Sequence, residues 1–170
     1  YEYIVELCNG IDDSEICNVS NPVIITIGEE DDEEEGDGGD DSNLIFNKNI
    51  VGYYTSWSIY ARNYEIEDIP IEKINIINYA FANIDPSSGT ILLGDPYADI
   101  DKFYPGDCWD ADCLRGNFHQ LQILKENYSH LKTFISVGGW TWSTYFSDIV
   151  MTDESRTVFA ESCVDFIVKY

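Results

Sequence analysis

Aromatic side chains at the ends of strand-length apolar runs have the plainest chemical use in this sequence. Trp57 closes one such run, Phe81 lies toward the end of a second, and Trp140 and Trp142 follow a third across Gly138-Gly139. A pyranose ring packs its apolar CH face on an aromatic surface while its hydroxyls seek hydrogen bonds at the rim, so this convergence favours a sugar groove. Trp140 and Trp142 are hard to bury together just after a glycine pair, and with polar Thr141 and Ser143 beside them they read as open to ligand. Phe81 taken alone reads more readily as core. Ser136 stands two residues before the glycines, whose missing side chains would let backbone N–H groups approach a ligand closely. Other chemistries are poorly served. A hydrolase nucleophile at Ser136 needs glycine two residues earlier, where Phe134 stands. Cys108, Cys113 and His119 offer zinc only three ligands at a nonstandard spacing, so neither metal nor cofactor is expected. His119 and His130 read as solvent-facing, on or beside a helix.

The elements that must position these residues alternate from Ile50 onward. A strand is predicted over Ile50 to Trp57, a short helical piece near Ile71 to Ile74, and a second strand over Asn75 to Ile84. Ile76, Ile77, Tyr79, Phe81 and Ile84 make the second strand nearly continuously apolar, as expected of a parallel sheet covered on both faces. Asp85-Pro-Ser-Ser-Gly89 is rich in turn formers and opens a long excursion through Gly116. A helix is predicted from a cap at Asn117, with Phe118, Leu121, Leu124 and Tyr128 at helical spacing. The third strand holds the run Lys132 to Trp142, KTFISVGGWTW. A last helix begins at Thr152 or Asp153 and lines up Phe159, Cys163, Phe166, Ile167 and Tyr170. The order is α/β, three strand-helix units of a parallel sheet.

Three motifs recur along these strands: Tyr53-Tyr-Thr-Ser-Trp57, Tyr79-Ala-Phe-Ala82 and Ser136-Val-Gly-Gly-Trp140. In this order and register they resemble family-18 glycoside hydrolases, the chitinases and their lectin-like relatives, over residues 49 to 170. The resemblance implies a (β/α)8 TIM barrel of which only the first three βα units are present, in a fold of usually about 250 residues. It implies that Tyr53 and Phe81 line the subsite beside the scissile bond and that Trp57 and Trp140 stack on sugars. Gly138 and Gly139 would support the turn after the third strand, and Ser136 would help hold the catalytic strand. Members of that family cleave β-1,4 bonds between N-acetylglucosamine units with retention, using a glutamic acid as general acid and the substrate acetamide as nucleophile. That acid ends an Asp-x-x-Asp-x-Asp-x-Glu run on the next strand, and no such run occurs in these 170 residues. No catalytic residue is therefore assigned here. The resemblance implies the N-terminal part of a chitinase, inactive by itself, with chitin or chitooligosaccharides as partners. The alternative it implies is a non-catalytic chitinase-like lectin.

Composition splits the chain. Fifteen of the 32 acidic residues lie in residues 1 to 43, ahead of the first basic residue, Lys48. Glu29 to Asp41, EEDDEEEGDGGDD, has no apolar residue and repels itself, so a solvated linker is expected there. Calcium ligation by it lacks the required spacing. The organisation expected is an extension of unknown fold over 1–28 with a short strand at Val23 to Ile27, a disordered acidic linker over 29–46, and the barrel segment over 47–170. The barrel segment carries 17 acids and 9 bases, which disfavours nucleic acid and anionic membrane surfaces and leaves neutral polymers open. No apolar run approaches the roughly 18 to 20 residues that cross a bilayer. Cys8 with Cys17 and Cys108 with Cys113 form two local pairs that suggest disulfides, which leaves Cys163 as a small buried residue. Asn18-Val-Ser20 and Asn127-Tyr-Ser129 match the N-glycosylation pattern. Both features suit an extracellular, secreted protein.

Overall fold

The computed structural model describes residues 48–110 and 112–170, together with the backbone of Glu2–Val5 and Val23–Thr26. The chain divides into two units, Tyr1–Asn43 and Leu44–Tyr170. In the first unit β1 (Glu2–Val5) pairs antiparallel with β2 (Val23–Thr26), Tyr3 opposite Ile25. The strand expected at 23–27 is β2, while β1 carries no turn or period signal strong enough to be read in advance. Cys8, Cys17, Asn18 and the acidic run 29–41 lie outside the described residues.

In the second unit β3 (Val51–Thr55) leads through 3-10 turns to β4 (Ile76–Asp85), which pairs with it in parallel. The turn at Asp85 then reverses the chain: Gly89 N–H donates to the Asp85 carbonyl at 2.8 Å, and the Asp85 carboxylate accepts from Ser87 and Ser88. β5 (Thr90–Leu92) returns antiparallel on the end of β4, a hairpin unforeseen because the three-residue strand is too short to show a period. After a π-helical turn, Tyr97–Asp101, comes α1 (Gly116–Asn127). β6 (Lys132–Val137) pairs in parallel with the other side of β4, Tyr79 opposite Ile135 and Ala80 opposite Ser136. The chain continues through α2 (Gly139–Trp142), α3 (Phe146–Ile149) and α4 (Asp153–Lys169). Parallel strands β3, β4 and β6, with helical segments between them, realise the α/β order expected from the sequence.

One face of this sheet is the packed one. Tyr54 and Tyr79, opposite each other in register, stack with centroids 6.0 Å apart. Phe118 of α1 meets Tyr79 edge-on at 5.0 Å and Phe166 of α4 at 5.9 Å, which ties both helices to that face. Phe159, Cys163 and Phe166 are buried, as their spacing predicts. Burial pushes the Cys163 thiol up to about 12, in keeping with an inert packing residue. Thr152 caps α4, its hydroxyl accepting from Ser155 N–H at 3.1 Å. The start of α1 differs from expectation. Asn117 does not cap the helix; it lies inside the first turn, buried, with its amide committed to a polar network described below. Among the described residues no helix is long and apolar enough to cross a membrane.

Candidate functional site

The carboxyl ends of β3, β4 and β6 gather most of the residues singled out by the sequence. Trp57 sits in the 3-10 turn Ser56–Ile59 just beyond β3, 47% exposed, and stacks on Phe81 of β4 with centroids 6.1 Å apart and planes 27° apart. The Phe81 ring lies on the backbone of Gly139, where an added Cβ would stand 3.0 Å from three ring carbons. Gly139 also has φ +65, so glycine is required there on two counts. Gly138 has φ +89, and a Cβ would come within 2.7 Å of Phe146 and of the Ser143 hydroxyl. Its N–H donates to the Ala82 carbonyl at 2.8 Å. The glycine pair thus makes room for Phe81 and Phe146 and continues the pairing of β6 with β4, and the Gly138 N–H is engaged within the protein rather than offered outward.

Ser136 is half-buried on β6 beside Ala80, two residues ahead of that turn. Tyr53, 66% exposed, shares a register row with Asn78 and Phe134 on the face of the sheet opposite Tyr54. It lies further toward the strand starts and makes no ring contact with Trp57 or Phe81. Trp140 is 93% exposed at the start of α2. Trp142 behaves differently from the expectation that both indoles are open: it is half-buried, its Cζ3 only 2.9 Å from where a Gly94 Cβ would be. A loop some fifty residues away in sequence covers it, and no local pattern announces that contact.

That same excursion supplies residues the motifs did not reveal. Tyr60 donates its hydroxyl to the Asp95 carboxylate at 2.9 Å and stacks on Tyr97 at 6.4 Å. Trp109, 74% exposed, lies flat on Phe103 at 4.3 Å with the Arg115 guanidinium 5.9 Å from its ring centre. The Cys108–Cys113 disulfide closes the loop that holds it, as the spacing suggests. His119 is not solvent-facing: it is half-buried, Nδ1 2.6 Å from the buried Asp107 carboxylate, a partner twelve residues away that helix periodicity cannot show. Beneath the aromatics, Asp99 accepts from the Tyr79 hydroxyl at 2.5 Å. Burial raises its carboxyl to about 6 and pushes the Tyr79 hydroxyl well above the usual tyrosine range. Among the described residues no group of three or more His, Cys, Asp or Glu could hold a metal.

The sequence profile described as Glycosyl hydrolases family 18 matches residues 49–170, the whole of the sheet and helices just described. The chain belongs to this family. Chitinase A1 of Niallia circulans is 46% identical over 150 residues, covering 71% of this chain. The solved chitinase ChiA74 of Bacillus thuringiensis superposes with a TM-score of 0.66 at 41% identity over 72% of this chain. A catalytic domain of the Ostrinia furnacalis Group II chitinase, solved as a mutant in complex with (NAG)5, superposes with a TM-score of 0.58 at 28% identity over 71% of this chain. This chain spans 21% of the length of Chitinase A1, 26% of ChiA74 and 29% of the Ostrinia chain. Its fold is therefore that of a family-18 chitinase over the first strands of the domain.

Proposed function

We propose that the strand-end face of this chain is one wall of a chitooligosaccharide groove. We further propose that the complete protein hydrolyses β-1,4-linked N-acetylglucosamine polymers with retention of configuration. The observation that carries this reading is the Trp57–Phe81 stack, backed by Gly139 and flanked by the open Trp140, at the end of a sheet where parallel α/β barrels hold their ligands. Trp57 and Trp140 would pack on pyranose faces, while Tyr53 and Phe81 would line the subsite beside the scissile bond. Ser136, Gly138 and Gly139 would fix the turn that supports them. No metal or cofactor is called for: the substrate's own acetamide serves as nucleophile, and the proton comes from a carboxylic acid that these 170 residues do not contain. This chain alone would bind without turning over, since loss of a positioned acid costs about 10² to 10⁴-fold in rate. The relatives at 46% and 41% identity are named chitinases, which supports a hydrolase rather than a lectin.

The test is product analysis. The complete protein, given N-acetylglucosamine oligomers, should release shorter oligomers whose new reducing ends begin as the β-anomer, followed by proton magnetic resonance. Binding without release of products would instead mark the protein as a lectin.

We infer export from the same chain. The Cys108–Cys113 disulfide belongs to an oxidising compartment. Asn127, the last residue of α1, and Ser129 are exposed at the strand-start end of the sheet, away from the groove, where an N-linked glycan would not obstruct ligand. Protein recovered from a secreting eukaryotic source should lose mass on glycosidase treatment, and Asn127→Gln should remove that loss; an unmodified Asn127 in secreted protein would contradict the assignment.

A further inference from the structure

The residues that would touch sugar are held by one that would not. Asp99 is 1% exposed in the turn Tyr97–Asp101, and its two carboxylate oxygens face two different segments. Oδ1 accepts from the Tyr79 hydroxyl at 2.5 Å, and Oδ2 accepts from the Asp95 amide at 2.9 Å. Tyr79 lies on β4 two residues before Phe81. Asp95 follows Gly94, whose backbone is pressed so closely on Phe81 that a Cβ would fall 1.9 Å from the Phe81 carbonyl oxygen and 2.9 Å from Trp142. Asp99 therefore joins the strand that carries the platform to the loop that backs it.

The network continues in both directions. Inward, the Tyr79 hydroxyl accepts from Asn117 Nδ2 at 3.1 Å, and Asn117 Oδ1 accepts from the Tyr104 hydroxyl at 2.9 Å. Outward, the Asp95 carboxylate accepts from the Ala98 amide at 3.1 Å and from the Tyr60 hydroxyl at 2.9 Å, and Tyr60 stacks on Tyr97 at the exposed rim. Only a carboxylate presents two acceptor oxygens to two converging donors in so small a group; an amide would aim an NH2 at one of them. A buried carboxylate carries a desolvation cost, and here the two hydrogen bonds offset part of it.

We propose that Asp99 is a positioning residue for the oligosaccharide groove: it pins Gly94–Asp95 against the Phe81 platform and so sets the Tyr60–Asp95 pair at the rim. This rests on the reading of the strand ends as a sugar site. It adds that the register of the rim is set from below, by a group that never meets the ligand.

The test uses the complete protein, with chitooligosaccharide affinity measured by titration calorimetry and folding by thermal denaturation. Asp99→Asn keeps the volume and turns a donor toward a donor. Its affinity should fall about tenfold, the scale of one charge-assisted hydrogen bond. Thr152→Ala, which uncaps α4 far from the network, should lower the melting temperature with no change in affinity. The decisive readout is coupling: Tyr60→Phe should weaken binding in the wild-type background and have little further effect with Asp99→Asn. Should Asp99→Asn fail to fold, Tyr79→Phe removes a donor to the same carboxylate at nearly constant volume and takes its place in the cycle. Wild-type affinity in the Asp99 or Tyr79 variant would overturn the proposal, as would independent, additive effects of the Tyr60 and Asp99 changes. A wild-type protein that binds no oligosaccharide would overturn the sugar-site reading itself, and this inference with it.

Discussion

The Phe81 ring rests on the bare backbone of Gly139, so close that an added Cβ would stand 3.0 Å from three ring carbons and press the ring outward. Gly139→Ala would force a left-handed backbone on a residue with a side chain, costing about 1 to 2 kcal/mol. It would also push Phe81 away from the turn. The variant is expected to melt at lower temperature and to bind oligosaccharide more weakly. An unchanged melting temperature would mean that the turn relaxes and that Phe81 is not held there.

Trp140 separates binding from stability. At 93% exposure its indole supports nothing in the fold, so Trp140→Ala should leave thermal denaturation unchanged. Oligosaccharide binding should weaken by about 1 to 2 kcal/mol, the scale of a lost aromatic anchor. Unchanged affinity by calorimetry would remove Trp140 from the groove.

Asp99 gives stability a defined dependence on pH. Burial raises its carboxyl to about 6 in the folded protein, against an ordinary value near 3.8. A raised acid binds its proton more tightly when folded, so its contribution favours the fold below about pH 4 and is lost as pH rises through about 6. The difference in unfolding free energy between wild type and Asp99→Asn should therefore change across that window and be flat on either side. A difference that is constant from pH 4 to 7 would contradict the burial assigned to this carboxyl.

The Cys108–Cys113 disulfide closes a short loop and presents Trp109 flat on Phe103. Replacing both cysteines by serine is expected to cost about 2 kcal/mol, on the chain-entropy account of so short a loop. Trp109 emission should shift as the indole leaves the ring beneath it. Identical emission before and after replacement would mean that the stack holds without the bond.

Legibility in the sequence followed the range of the interaction. Strands β4 and β6 and helix α4 announced themselves through apolar runs, periodicity and the Thr152 cap, which are local. Trp57, Phe81, Gly138, Gly139 and Trp140 could be named because each lies within a few residues of a strand end. The partnership of Trp57 with Phe81 joins residues 24 apart and became visible only when parallel pairing brought β3 beside β4. Trp142 meets Gly94, and Tyr79 meets Asp99, across the excursion, where neither period nor spacing links them. Asparagine at a helix start fits a cap, whereas the burial of Asn117 between Tyr79 and Tyr104 is a tertiary fact.

The most direct measurement is titration of the complete protein with N-acetylglucosamine oligomers, with glucose oligomers of the same linkage as the control. Saturable binding of the N-acetylated oligomers alone, weakened in both Trp57→Ala and Trp140→Ala, is the predicted result. Absence of binding, or full affinity in both variants, would contradict a sugar groove at the strand ends.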